Sequence, residues 1–252
     1  MEILVCIKRY VLAGSTFVLN DDSTEIDAKN LGYTLAPHEE VAVEQAIRFV
    51  EEFGGSTTVL SLSQSDVEEQ LREQLAIGAD RGIILATDGS EWDPQATAGA
   101  IVDAIQAEAT SFDLIMFGAE AADSNNSQVG IRVAHALGLP IVTNVRGVSI
   151  KDGVARCERV VGNNREVYEV TLPAVLTTRE GLNIPRYPSV PGRIKARKKP
   201  VDTQTPSKPA AKVEKVKLIV PPNQKTGAKV LGEGASGAPA AVAMMEEIGV
   251  LG

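Results

Sequence analysis

Four short apolar runs, each followed by a helical signal, constrain the fold of this chain more than any other feature. They stand at Ile3–Ile7, Thr57–Ser61, Ile83–Ala86 and Leu114–Phe117. Between the first two, Val43, Ile47 and Val50 fall at i, i+4 and i+7 with Ala42, Ala46 and Phe49 beside them. That spacing makes one broad apolar face of an amphipathic helix. Asp93 before Pro94 and Ser65 three residues before Glu68 mark helix starts, and Gly54–Gly55 and Gly78 mark stops. Apolar strands alternating with helices predict a doubly wound, mainly parallel α/β sheet covered on both faces, Rossmann-like in class.

The pattern changes near residue 145. Val145–Ile150, Val154–Val161 and Val167–Leu172 read as strands joined by Lys151-Asp152-Gly153 and Gly162-Asn163-Asn164 turns. This predicts a small β extension at about 145–172 within a domain of residues 1–182. Prolines at 185, 188, 191, 200, 206 and 209 then break the pattern. Residues 183–200 read as a loop and basic segment, and 201–252 as an extended arm ending in a short helix from about Pro239 to Ile248. A helix that small needs something to dock on.

Several function classes drop out. His38 and His135 are the only histidines, and Cys6 and Cys157 belong to no Cys/His cluster. Metal sites, disulfide frameworks and His-dependent hydrolase triads therefore lack builders. No apolar stretch approaches the ~20 residues of a membrane span, so direct membrane insertion is not expected. The opening MEILVCIKRY reads as a strand with no targeting segment, which places the expected location in the cytoplasm of a bacterium or archaeon. The formal charge is −8, yet Arg186 to Lys229 holds 12 Lys and Arg against 2 Asp and Glu. Such a stretch fits an acidic partner surface or a polyanion, or else a solvated linker. With only Tyr187 as a nearby stacking aromatic, nucleic acid is not the expected partner.

The loop from Phe117 to Gly130 is the most informative segment. It leaves a buried strand and enters a helix carrying Val129, Val133 and Leu137. Its small and polar residues leave backbone N–H groups free at a helix N-terminus, a place that favours a phosphate. An ordinary capped strand–helix loop is the other reading. Gly232-Glu233-Gly234-Ala235-Ser236-Gly237 matches GxGxxG formally, but a dinucleotide fingerprint needs a second strand and an acidic residue ~20 positions further on, and the sequence reaches only Gly252.

Taken in order, several motifs resemble the beta subunit of electron transfer flavoproteins. They are Ile3-Leu4-Val5-Cys6-Ile7-Lys8-Arg9, Pro37-His38-Glu39-Glu40-Val41-Ala42-Val43-Glu44 and Ala76-Ile77-Gly78-Ala79-Asp80-Arg81-Gly82. The loop ending Gln128-Val129-Gly130, Leu172-Pro173-Ala174-Val175 and Pro185-Arg186-Tyr187-Pro188-Ser189 complete the series, which covers residues 1 to about 200. The resemblance implies an electron carrier rather than an enzyme, working as a heterodimer with an alpha subunit. FAD is held mainly by the alpha subunit, and an AMP, or in bifurcating members a second FAD that takes hydride from NADH, by the beta subunit. Carried over by position, the nucleotide site comprises Cys6, Ala36, His38, Leu62, Ala121, Asp123, Ser124, Ser127, Gln128, Val129 and Gly130. Electrons would arrive from flavin dehydrogenases and leave to a downstream oxidoreductase. Docking would use a recognition loop with Tyr187, Val190, Pro191, Ile194, Lys195 and Lys198. The arm 201–252 would dock its terminal helix on the alpha subunit.

The chain also departs from the family's pattern. Ala36 replaces the Asn usual before Pro37, and His38 stands where relatives place Phe near the flavin. Gly162-Asn163-Asn164 and Val160 replace an acidic-Gly-Gly turn and an acidic hinge residue. Bifurcating relatives carry Asp-Gly-Asp-Thr-Ala-Gln-Val-Gly where this chain has Asp123-Ser124-Asn125-Asn126-Ser127-Gln128-Val129-Gly130.

Overall fold

A computed structural model describes residues 1–12, 17–29, 31–213, 215–221 and 229–251, with the Ser65 side chain also outside the description. The expected capping box at Ser65 therefore lies outside the described residues, as does part of the basic arm. In chain order the elements of the first unit begin β1 (Glu2–Cys6), β2 (Arg9–Leu12), β3 (Gly32–Leu35), α1 (Pro37–Phe53), β4 (Ser56–Ser63) and α2 (Glu68–Ile77). They continue with β5 (Arg81–Ala86), α3 (Pro94–Ala107), β6 (Leu114–Gly118), α4 (Val129–Leu137), β7 (Ile141–Lys151) and β8 (Val154–Val161). β9 (Asn164–Thr171), β10 (Ala174–Thr178), α5 (Val190–Ala196) and β11 (Val201–Gln204) follow. A second unit, Leu218–Gly252, holds a short 3-10 turn and α6 (Ala238–Glu247), which has no buried residue.

The main sheet has the order β11-β5-β4-β1-β6-β10-β7-β8-β9. Pairing is parallel from β11 through β7 and antiparallel across β7-β8-β9. Side-chain alternation sorts each central strand onto two cores. Ile3, Val5, Leu114, Met116 and Leu176 face the core under α1 and α2, while Leu4, Cys6, Ile115, Phe117 and Val175 face the one under α3 and α4. This is the doubly wound sheet that the apolar runs predict. Among the described residues, no helix is long and apolar enough to cross a membrane.

The β extension is present, and its turns show why it forms there. Asp152 (φ 52) and Gly153 (φ 75) both take positive φ, as a two-residue hairpin matched to strand twist requires. β7 starts earlier than its sequence signal, at Ile141, because Thr143 and Asn144 interrupt the apolar run. Asn144 sits at φ 57, next to a register shift between β10 and β7.

Four elements carried little signal. β2 and β3 form a separate antiparallel ribbon, with Arg9 stacked 4.0 Å over the Tyr33 ring. Within the expected loop, Val190–Ala196 winds into a short helix capped by Ser189, whose Oγ accepts from Gly192 N at 3.1 Å. The segment assigned to the start of the arm, Val201–Gln204, is the outermost parallel strand of the sheet. Edge strands tolerate the polar Asp202 and Thr203, which is why the sequence there does not read as a strand. Further on, Asp93 caps α3 through Ala96 N (2.7 Å) and accepts from Lys212 N (2.5 Å), fastening the chain beyond β11 to the domain.

Candidate functional site

The chain leaves β1 toward β4 and β5 on one side and later enters β6 on the other, so strand order reverses between β1 and β6. In open α/β sheets the crevice at the carboxyl ends of the strands at such a point receives ligands. Cys6 and Phe117 are register partners there, and Leu62 stands near the end of the neighbouring β4. Burial drives the Cys6 thiol far above its ordinary range, so it stands at the end of β1 as a small neutral group and not as a nucleophile.

From β6 the chain passes through residues 119–128 into α4. Ala121 O accepts from Asn125 N at 2.8 Å, which tightens the loop, and Asn125 takes φ 52. Ser124 Oγ is 3.3 Å from Asn126 Nδ2, and both Ser124 and Ser127 are exposed. Among the described residues no side chain caps α4: Gln128, at its N-cap, turns its Oε1 to Arg132 (3.0 and 3.3 Å). The first N–H groups of α4 are thus left for an external acceptor. Gly130 keeps this helix start close to the strands, since a Cβ there would meet Thr177 Cγ2 at 3.0 Å and Phe117 Cδ2 at 3.1 Å. An uncapped helix start seated on the strand ends fits a nucleotide phosphate.

The opposite wall is the start of α1. Ala36 is its N-cap and offers no side-chain acceptor. The His38 Nδ1 accepts from Glu180 N (3.1 Å), so the ring proton sits on Nε2, facing Glu120 Oε1 at 3.4 Å. Glu120 also lies 3.3 Å from Arg179 Nη2, whose Nη1 reaches Asn144 Oδ1 at 3.1 Å. The Thr178 hydroxyl is within reach of His38 O (2.9 Å) and Phe117 O (3.2 Å), joining α1 to β6 and β10. Lys8 and Asp123 pair at 2.7 Å, tying the segment after β1 to the loop after β6.

Glu39 completes this wall and is its least expected member. It is 4% exposed, and its Oε2 has no hydrogen-bond partner among the described residues. Burial pushes its carboxyl up to about 8. Gly118 makes the room: a Cβ there would come 2.9 Å from Glu39 Cδ and 3.2 Å from His38 Cβ.

His38 is joined to β6 and β10 through Thr178, Asp123 to the segment after β1 through Lys8, and Gly130 to the strand ends at Phe117 and Thr177. Among the described residues Ala36 bonds only within α1 and Gln128 only to Arg132, and Cys6 is buried at the end of β1. Leu62 packs against the core that holds Cys6, while Ala121 opens the loop after β6 and Ser124 and Ser127 are exposed on it. Sequence reasoning missed Lys8, Glu39, Glu120, Thr178 and Arg179. Glu39 was findable, because it precedes Val43 by four residues and so lies on the apolar face of α1. The rest depend on long-range pairings that leave no periodicity.

A second surface lies on residues 183–200. Tyr187 is 95% exposed, Val190 73% and Ile194 59%, and Pro191, Lys195 and Lys198 are exposed around them. Large apolar side chains this exposed mark an interaction site more often than a plain surface. Arg186 and Arg193 are engaged by acidic side chains. Among the described residues, the unpaired positive charge of this segment is concentrated at Lys195, Arg197 and Lys198.

Comparison with known proteins adds a family to this geometry. The model described as "Electron transfer flavoprotein domain" matches residues 24–209. The electron transfer flavoprotein subunit beta of Syntrophomonas wolfei is 36% identical over 234 residues, covering 92% of this chain and 91% of that protein. Its counterpart from Bacillus subtilis is 29% identical with 97% of both chains covered. The caffeyl-CoA reductase-Etf complex subunit CarD of Acetobacterium woodii is 33% identical, covering 80% of this chain and 77% of that one.

Proposed function

Because this chain belongs to the electron transfer flavoprotein family as a beta-type subunit, we propose that it clamps an adenine nucleotide at the β1–β6 switch point and docks electron donors through residues 187–198. The observation that carries this reading is the uncapped start of α4, seated by Gly130 on the ends of β6 and β10. AMP is the nucleotide. The backbone of Val129 and Gly130, with the Ser124 and Ser127 hydroxyls, would hold its phosphate. Cys6, Leu62 and Ala121 would line the remainder, with Ala36 and His38 opposite and Asp123 held back by Lys8. In this reading the chain's own chemistry is passive: it binds, orients and excludes water. FAD, held with an alpha subunit in a heterodimer, supplies the electron-carrying chemistry when bound.

The exposed Tyr187, Val190, Pro191 and Ile194 give a transient partner a desolvated contact, and Lys195 and Lys198 steer an acidic flavin dehydrogenase or downstream oxidoreductase toward it. Val190→Ala is expected to lower the second-order rate of electron acceptance about tenfold, equivalent to roughly 1.4 kcal/mol of lost contact, with FAD content unchanged. Stopped-flow reduction of the heterodimer by a flavin dehydrogenase measures this, and an unaltered rate removes Val190 from the docking surface. Gel filtration with and without the alpha subunit checks the heterodimer; a monomer indifferent to that subunit would sink it.

A second reading replaces AMP with another FAD that takes hydride from NADH. The likeness to a subunit of a caffeyl-CoA reductase complex favours it. Ser124-Asn125-Asn126-Ser127, in place of the Gly-Asp-Thr-Ala of bifurcating relatives, weighs against it.

A further inference from the structure

Residues 183–200 lie along the domain with Ala196 buried and Ile184, Tyr187, Val190 and Ile194 in water, and both ends of the segment are fastened. At the start, Asn183 Nδ2 donates to Val41 O (3.0 Å) and Gln45 Oε1 (3.2 Å), and Arg48 Nη2 donates to Ile184 O (3.0 Å). Arg186 donates to Glu44 through its backbone N (3.1 Å), Nε (2.9 Å) and Nη2 (3.2 Å). The same guanidinium grips Glu51 at 2.6 and 2.9 Å. At the end, Lys199 Nζ donates to the carbonyls of Leu75 (3.0 Å), Gly78 (3.3 Å) and Ala79 (2.5 Å), where α2 ends. Arg72 Nη1 donates to Ala196 O and Lys199 O, both at 2.7 Å.

Glu44 is the unusual member. It lies on the buried side of α1, and its side chain is 1% exposed. Burial by itself would push its carboxyl up, but hydrogen bonds from Arg186 and Arg48 outweigh that and hold it below the usual range. A buried carboxylate is a poor way to hold a helix on a sheet, because an apolar residue of similar size does so without a desolvation cost. Among the described residues, each hydrogen bond that the Glu44 carboxylate accepts comes from Arg186 or from Arg48. Arg48 itself reaches the segment at Ile184. The buried charge is therefore spent on residues 183–186 and on nothing in the core.

We infer that Glu44, acting through Arg186, is a positioning residue for partner recognition: it fixes the segment carrying Tyr187, Val190 and Ile194 in its docking shape before a partner arrives. A segment ordered in advance does not lose that freedom on binding, so a small apolar contact is enough for a short-lived complex. The inference rests on the reading of residues 187–198 as the docking surface.

The test compares heterodimers carrying Glu44→Gln, Arg186→Gln, Arg186→Lys and Val190→Ala with the wild type. Arg186 is 36% exposed, so Arg186→Gln keeps the test open should Glu44→Gln fail to fold. The first readout is the rate of tryptic cleavage after Arg193, Lys195, Arg197 and Lys198 without partner, expected to rise at least tenfold in both Gln variants. The second is electron acceptance from one purified flavin dehydrogenase that reduces the wild-type complex. Its half-saturating concentration is expected to rise at least fivefold at an unchanged saturating rate, with partial rescue in Arg186→Lys. Unchanged cleavage overturns the inference. So does faster cleavage with unchanged half-saturation while Val190→Ala raises it, which leaves the docking surface standing without the clamp. If Val190→Ala also changes nothing, the docking surface itself falls and takes the inference with it.

Discussion

Replacing Glu39 by Gln is expected to stabilise the protein by on the order of 3 kcal/mol at pH 7, with the gain vanishing as pH falls toward 4.5. The folded carboxyl titrates at about 8, against 4.5 for an ordinary glutamate. Between those values the unfolded chain has released its proton while the folded chain still holds it. Each pH unit across that window therefore shifts the balance toward the unfolded state by about 1.4 kcal/mol, and above pH 8 the loss levels off. A glutamine has no proton to lose, so its stability is flat across the same window with respect to this site. Several charged groups surround the position: Lys8 favours ionisation, while Asp123 and Glu40 oppose it. His38, its neighbour on α1, is turned to Glu120 and Glu180. Urea midpoints of the two proteins between pH 4.5 and 8.5 should diverge steadily with rising pH. Parallel curves would show that Glu39 ionises normally and is not buried as described.

Gly192→Val is expected to have the second large effect. A Cβ at this position would come 2.3 Å from the carbonyl oxygen of Ala76. That oxygen is backbone at the end of α2 and cannot rotate aside, so α5 must lift. The cost is about 3 kcal/mol, at the upper end of what overpacking exacts, and the segment between the two clamps loses its seat. Thermal unfolding should show the loss of stability, and half-saturation by a flavin dehydrogenase should rise with it. The bound-nucleotide content should stay constant, because α5 packs mainly on α2 and not on β1 or β6. A variant with normal stability and normal half-saturation would mean that α5 does not rest on α2 as described.

The parts of this molecule legible from sequence are those whose signal is local. Strand alternation at Ile3–Ile7 and Leu114–Phe117, the face of α1, and the Asp152-Gly153 turn follow from residues a few positions apart. Strand order, by contrast, has no local signal and appears only in the structure. β11 was hidden because an edge strand needs only one apolar side to pair, and Val201 is flanked by a proline and an aspartate. α5 was hidden because Val190 and Ile194 face water and only Ala196 is buried, which leaves no core-directed period. The site divides the same way. Gln128–Gly130 was visible as a strand-to-helix junction with small residues. Glu120, Thr178 and Arg179 were not, since each matters through partners tens of residues away.

The central claim, that the β1–β6 crevice is a nucleotide clamp within an electron-transfer heterodimer, is tested most directly by counting nucleotides. The complex would be isolated from its native cells by a tag on this chain and denatured, and the released AMP and FAD quantified by chromatography. One FAD and one AMP per heterodimer is the predicted result. A complex with FAD from the alpha subunit alone, and no other adenine nucleotide, would contradict the clamp.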